Sequence, residues 1–213
     1  RRPPVEEGTM TVPLPPLPPA ADEAYRPGGR SLADLVDAEH RQLLGLADQV
    51  TDPDLAAERR REVIDVLTAA VSRHLSAEEQ YLFPAARAAV PASAELVDRE
   101  IEADAALLTA LKGLSGPDDP ALARWRPGTP ARQPGRRADD AAAGVATDAE
   151  LIRLGNRWQI AEEAAPTRPH PGTPATPPWN KIVEPAVGVV DKLRDAVTGR
   201  RTQLADLERQ PKT

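Results

Sequence analysis

The sequence predicts an all-α fold: a helix bundle, further C-terminal helices, and proline-rich disordered arms. Three observations carry this expectation. Apolar residues recur at a helical period through several long stretches. Capping and terminating residues bracket those stretches. Aromatic residues make up only 3% of a chain that is 40% hydrophobic, so any core is built from Leu, Val, Ile and Ala. That palette suits helix packing better than a sandwich of strands.

Each element follows from its own residues. Residues 1–30 hold eight of the 24 prolines and read as an extended, disordered arm, because proline fixes φ and removes a donor. Ser31 opens the first helix, in capping-box spacing with Asp34 (Asp standing for the usual Glu or Gln), and Leu32, Val36, Leu43, Ala47 and Val50 follow at helical period. Thr51-Asp52-Pro53-Asp54 ends it. The second helix is predicted over about 55–83, with Ile64, Leu67, Val71, Leu75 and Leu82 near one face. Pro84 and Pro91 bracket a short helical piece expected to kink away. The third helix begins near Ser93, turns Leu96, Val97, Ile101, Leu107, Leu108 and Leu111 inward, and stops at Gly113 and Gly116-Pro117. These three helices occupy residues 31–120, and their short connections make them antiparallel neighbours.

A fourth helix should follow directly, and does not. From 123 to 146, Ala, Arg, Pro and Gly account for 18 of 24 residues. Residues 121–146 therefore read as irregular, and 123–146 carry the bias of an out-of-frame stretch of a GC-rich gene. Order resumes at Thr147-Asp148-Ala149-Glu150, a capping signal. It leads a helix over 147–165, through Leu151, Ile152, Leu154, Trp158 and Ile160, that packs on the bundle or completes it. Residues 166–180 form a linker, with six prolines among the 13 residues from 166 to 178. A last helix is predicted over 181–207, with Val183, Val187, Val190, Leu193 and Val197 apolar, and residues 208–213 are a tail. Trp158 and Trp179 are expected to pack the C-terminal helices.

Composition narrows the function classes. The net charge of −6 lacks the basic excess of a nucleic-acid binder. The absence of cysteine excludes disulfides, thiolate metal sites and cysteine nucleophiles, leaving nitrogen and oxygen as metal ligands. No apolar run approaches the ~18 residues of a membrane span. Arg1-Arg2 leads into prolines rather than an apolar signal core, so a soluble cytoplasmic protein is expected.

The chain has only three histidines. His40 lies on the stripe of Val36, Leu43 and Ala47. His74 and Glu78, four residues apart on the stripe of Ile64, Leu67 and Val71, project an imidazole and a carboxylate from one helix face. That pair suits a first-row metal in a bundle core. A buried hydrogen-bonded network is the competing reading, although an unpartnered buried carboxylate is costly. His170, between prolines, reads as a loop residue.

Two segments carry a family resemblance. Ala38-Glu39-His40-Arg41-Gln42-Leu43 resembles the opening histidine motif of hemerythrin-like HHE cation-binding domains. Arg73-His74-Leu75-Ser76-Ala77-Glu78-Glu79-Gln80-Tyr81-Leu82-Phe83-Pro84 is similar to that family's second helix, His-x-x-x-Glu-Glu followed by an aromatic and a proline. The resemblance covers roughly residues 31–113. Arg168-Pro169-His170-Pro171-Gly172-Thr173-Pro174 and Pro177-Pro178-Trp179-Asn180 resemble tails of some bacterial members.

The resemblance implies an up-down four-helix bundle with a non-haem di-iron centre that binds dioxygen or another small diatomic ligand, or senses redox state or iron. His40 and His74 would be terminal ligands of one iron, Glu78 would bridge, and Glu79 would face solvent. The third helix departs from the family's usual histidines, offering Glu100 and Asp104 at the same four-residue spacing. Two solvated carboxylates are the plainer reading of that pair. Residues 121–146 contain no histidine for a fourth helix. The expectation is thus a hemerythrin-like bundle whose fourth helix is degraded or replaced, with an incomplete di-metal site of His40, His74, Glu78, Glu100 and Asp104. The missing helix would come from residues 147–165 folding back or from a second chain in a homodimer. Binding without turnover is expected, and a metal-free helical interaction module is the alternative.

Overall fold

The computed structural model describes residues 27–90, 93–113, 146–173, 175 and 180–208. All but the last four residues of the expected N-terminal arm, nearly all of the irregular 121–146 segment, and Trp179 lie outside the described residues. Helix α1 spans Leu32–Thr51, and its N-cap Ser31 accepts from the Asp34 backbone at 3.1 Å, as the spacing predicts. Helix α2 spans Ala57–Ala77 and runs on through a π-helical turn, Glu78–Leu82, into α3, Phe83–Ala89. Helix α4 spans Ala94–Gly113, α5 Asp148–Ala164, α6 Asn180–Thr198 and α7 Leu204–Glu208. Among the described residues there is no strand.

The turn that precedes Pro84 is π-helical. A proline inside an α-helix loses its own hydrogen bond and crowds the carbonyl four residues earlier. Here the Phe83 N–H reaches back five residues to the Glu78 carbonyl, and the widened turn carries the helix past Pro84 into α3.

Helix α5 opens with a complete capping box, Thr147 with Glu150, and packs along both α1 and α2. Gly155 makes that seating possible: a Cβ there would overlap the Arg30 carbonyl and stand 3.1 Å from the Leu32 nitrogen. Trp158 is fully buried on this helix, joining Leu32, Leu35, Val36, Leu82, Phe83, Ala86 and Val97 in one apolar cluster. It therefore packs the bundle core rather than the C-terminal helices. A second cluster gathers Leu43, Leu46, Val50, Val63, Leu67, Val71, Leu75 and Leu111, closed by Leu207 of α7. Along α1 the passage between the clusters falls at His40, and along α2 it falls just past His74, between Leu75 and Ala77.

The helix predicted over 181–207 is broken. It ends at Thr198, turns at Gly199 with φ 65°, and resumes as the short α7. Residues 167–170 clasp α6 against the bundle: the Arg168 amide donates to Asp191 at 3.0 Å, His170 Nε2 lies 2.9 Å from the same carboxylate, and the Thr167 hydroxyl donates to Asp195. His170 is a loop residue, as expected, and this clasp is what the proline-flanked motif builds. Replacing Gly155 by Ala should destabilise the fold by about 1–3 kcal/mol, because the new methyl meets backbone that cannot move aside. Thermal unfolding checks this, and unchanged stability would mean α5 is not seated on α1 as described.

Candidate metal centre

The site lies where the two apolar clusters meet. α1 brings His40, α2 brings His74, and Glu78 opens the π-helical turn one helical turn beyond His74. These three offer ligand atoms within 4.8 Å of one another, and all three are buried. His40 Nε2 is 3.1 Å from His74 Nε2, and Glu78 Oε1 is 3.1 Å from the same nitrogen.

An outer carboxylate decides what that nitrogen can do. Glu39 Oε2 lies 2.8 Å from His74 Nδ1 and accepts its proton in hydrogen bonding. In its neutral form, the one a metal requires, the ring is thereby left with its lone pair on Nε2, aimed at His40 and Glu78. Glu39 is itself held by Trp158, whose Nε1–H donates to Oε1 at 3.0 Å. The Trp158 ring also stands edge-on to His74, with centroids 5.2 Å apart. A chain from α5 to α1 to α2 thus fixes the imidazole's orientation. Sequence reasoning missed Glu39, although its place beside His40 in the first motif was a usable signal.

Electron-rich atoms converge without enough donors. Among the described residues Glu78 has one polar neighbour, His74 Nε2 at 3.1 Å from Oε1, and its other oxygen, Oε2, has no hydrogen-bond partner. Burial pushes the Glu78 carboxyl upward, against the pull of His74. Burial would push His74 down, but the Glu78 and Glu39 carboxylates outweigh it and hold the ring well above its usual value. One proton can satisfy one of these contacts. A cation satisfies all three, so the residues present fit a metal ion with two nitrogen ligands and one oxygen.

Asp104 and Glu100 fare differently. Asp104 on α4 is 1% exposed, with Oδ2 lacking a hydrogen-bond partner, and is driven well up by burial and then by the charges of Glu78 and Glu79. It faces the same interior as Glu78 without joining the three-residue group. Glu100 is half-buried and reaches the site only through its charge.

Glu79, expected at the surface, is 7% exposed. Neighbouring α-helical positions point ~100° apart, which would turn Glu79 out if Glu78 points in. The π-helical turn alters that register, and Glu79 meets α6. There Ser76 and Gln80 donate to Glu184, itself 2% exposed. Burial, then the charges of Glu184 and Glu78, raise Glu79 to about 8. On the opposite side a polar cleft of about 330 Å3, lined by Glu39, Arg73, His74, Gln159 and Glu162 among others, opens beside the outer carboxylate. Glu162 there is raised to about 7 by burial, then by the charge of Glu39.

A folded-state pKa above the unfolded value means the native protein binds the extra proton, so stability falls as pH rises between the two values. For Glu79 that interval runs from 4.5 to about 8. Replacing Glu79 by Gln should raise the melting temperature by an amount that grows across this interval and levels off above it. Melting curves of both proteins at several pH values check this. A pH-independent difference would show that Glu79 is not buried as an acid.

Comparison with protein families gives one finding: the hemerythrin HHE cation-binding domain model matches residues 31–146. No curated protein and no solved structure matches the chain. No helix among the described residues is long and apolar enough to cross a membrane. The family match takes in more than half of the chain and the three convergent side chains with it, so the protein belongs to the hemerythrin HHE cation-binding domain family.

Proposed function

We propose that this protein binds iron at His40, His74 and Glu78 and uses it in oxygen or redox sensing, or in iron handling, in the cytoplasm and without turning over a substrate. The observation that carries this reading is the set of three buried ligand atoms within 4.8 Å, with Glu78 Oε2 left without a hydrogen-bond partner. A buried carboxylate whose one close polar neighbour is an imidazole shared with a second histidine is costly as structural filler. Iron at such a site would supply a one-electron couple and room for a small diatomic ligand such as dioxygen.

The chain's own residues set the conditions. Glu39 holds His74 in the tautomer that presents Nε2, and Trp158 holds Glu39. The apolar cluster of Leu32, Val36, Phe83 and Trp158 keeps water from one side. The polar cleft beside Glu39 gives protons a way to the outer carboxylate when a cation displaces them. Asp104, buried and short of donors, is the residue on α4 best placed to serve a second ion through Glu78, with Glu100 behind it. A second position made of carboxylates alone would be weaker for iron than a histidine-bearing one. We therefore expect an incomplete centre holding fewer than two irons per chain.

The 3.1 Å approach of the two imidazoles also suits a metal-free module in which His40, His74 and Glu78 form a hydrogen-bonded network. Metal analysis separates the two. Purified protein loaded with ferrous iron should retain between one and two ions and melt at a higher temperature. His74→Gln should abolish both effects, and Glu39→Gln should weaken binding about 10–100-fold without removing a ligand. Protein that takes up no iron and melts unchanged after iron addition would overturn iron binding and leave the metal-free reading.

A further inference from the structure

Helix α6 is mounted with its polar face inward. Its buried positions are Glu184, Gly188, Asp191 and Asp195, the three acids being 2%, 3% and 5% exposed. They recur every three or four residues along one stripe. Ser76 and Gln80 hold Glu184, Thr167 and Arg168 hold Asp195, and the Arg168 amide and His170 hold Asp191. Gly188 lets the helix lie directly on the end of α5, since a Cβ there would overlap the Ala164 carbonyl.

The consequence is an apolar seam facing outward. Five large hydrophobic side chains are exposed among the described residues, and four belong to α6: Val189 at 59%, Val190 at 63%, Leu193 at 64% and Val197 at 88%. Val183, Ala186, Val190, Leu193 and Val197 follow one another at spacings of three, four, three and four residues. That is a heptad seam with Val at every a position and Ala or Leu at d, the pattern that favours two parallel strands. The flanking positions are Val187, Val189, Ala196 and Arg194. In a parallel pair the arginine faces the position occupied by Val189, so no like charges meet and its methylenes have an apolar surface to cover.

We propose that α6 is a self-association surface, through which two copies of this chain pair in parallel about a two-fold axis. A second copy fits because the seam is complementary to itself. It fits also because the helix has turned its three acids inward, so a chain of net charge −6 offers its twin a face with no exposed acid on this helix. The helix is already formed and clasped, so association does not bear the cost of nucleating it. The seam is the face of one helix, which puts it at the small end of specific interfaces, and the dimer is correspondingly reversible. Nothing in this inference depends on the metal.

Sedimentation of the full chain from low to several hundred micromolar tests it. The wild type should pass from one copy to two, and Val190→Glu with Leu193→Glu should stay at one copy throughout. Both positions are mostly exposed, so the helical circular-dichroism signal and melting temperature should be unchanged. Because the chain has no cysteine, Val197→Cys adds a single thiol. Parallel pairing brings the two thiols together, and mild oxidation should link the copies. A wild type that stays monomeric, or a dimer that survives the double substitution, would overturn the proposal. A dimer lost in that variant but not linked through position 197 would overturn the parallel arrangement. A monomer whose Val197→Cys thiol resists reagents would show that the chain's own segments cover the seam.

Discussion

The structure depends on one hydrogen bond, from His74 Nδ1 to Glu39. With the Nδ1 proton engaged at 2.8 Å, the ring turns its lone pair toward His40 and Glu78 in a nearly dry interior. Without that bond the imidazole could take either tautomer, and the approach to Glu78 would be an ordinary buried ion pair. With it, His40 Nε2 and Glu78 Oε1 each stand 3.1 Å from His74 Nε2 in one small buried space. The bundle tolerates this crowding at the junction of its two apolar clusters, where His40 and His74 replace the leucines and valines found on either side.

Much of the remaining architecture serves this arrangement. Helix α5 does more than pack along α1 and α2, because it supplies the indole that fixes Glu39. The π-helical turn lets the chain run past Pro84 and brings two consecutive glutamates inside, one toward the histidines and one toward α6. Helix α6 is thus tied to the same turn that carries a candidate ligand. Glu184 receives hydrogen bonds from Ser76 and Gln80, on either side of Glu78 in sequence.

What could be read from the sequence depended on how local the cause was. The Ser31 and Thr147 caps were legible because a cap is decided within three residues. His40, His74 and Glu78 were legible because helical period and a family motif point to the same positions. Glu79 was misread because period assumes an unbroken α-helix, and the π-helical turn answers to Pro84 and to packing. Trp158 was assigned to the C-terminal helices because its partner Glu39 lies 119 residues away. The stripes of α6 were visible, but periodicity shows only which residues share a face. Which face goes inside was settled by acceptors for Thr167, Arg168 and His170, far from any local pattern.

The central claim is that two imidazoles and a carboxylate meet around one cation. X-ray absorption at the iron edge of the loaded protein tests it most directly. The account predicts a first shell of mixed nitrogen and oxygen, with the outer-shell scattering of imidazole rings and a weaker ring signal when either histidine is removed. A first shell of oxygen alone, with no imidazole signature in the wild type, would contradict it.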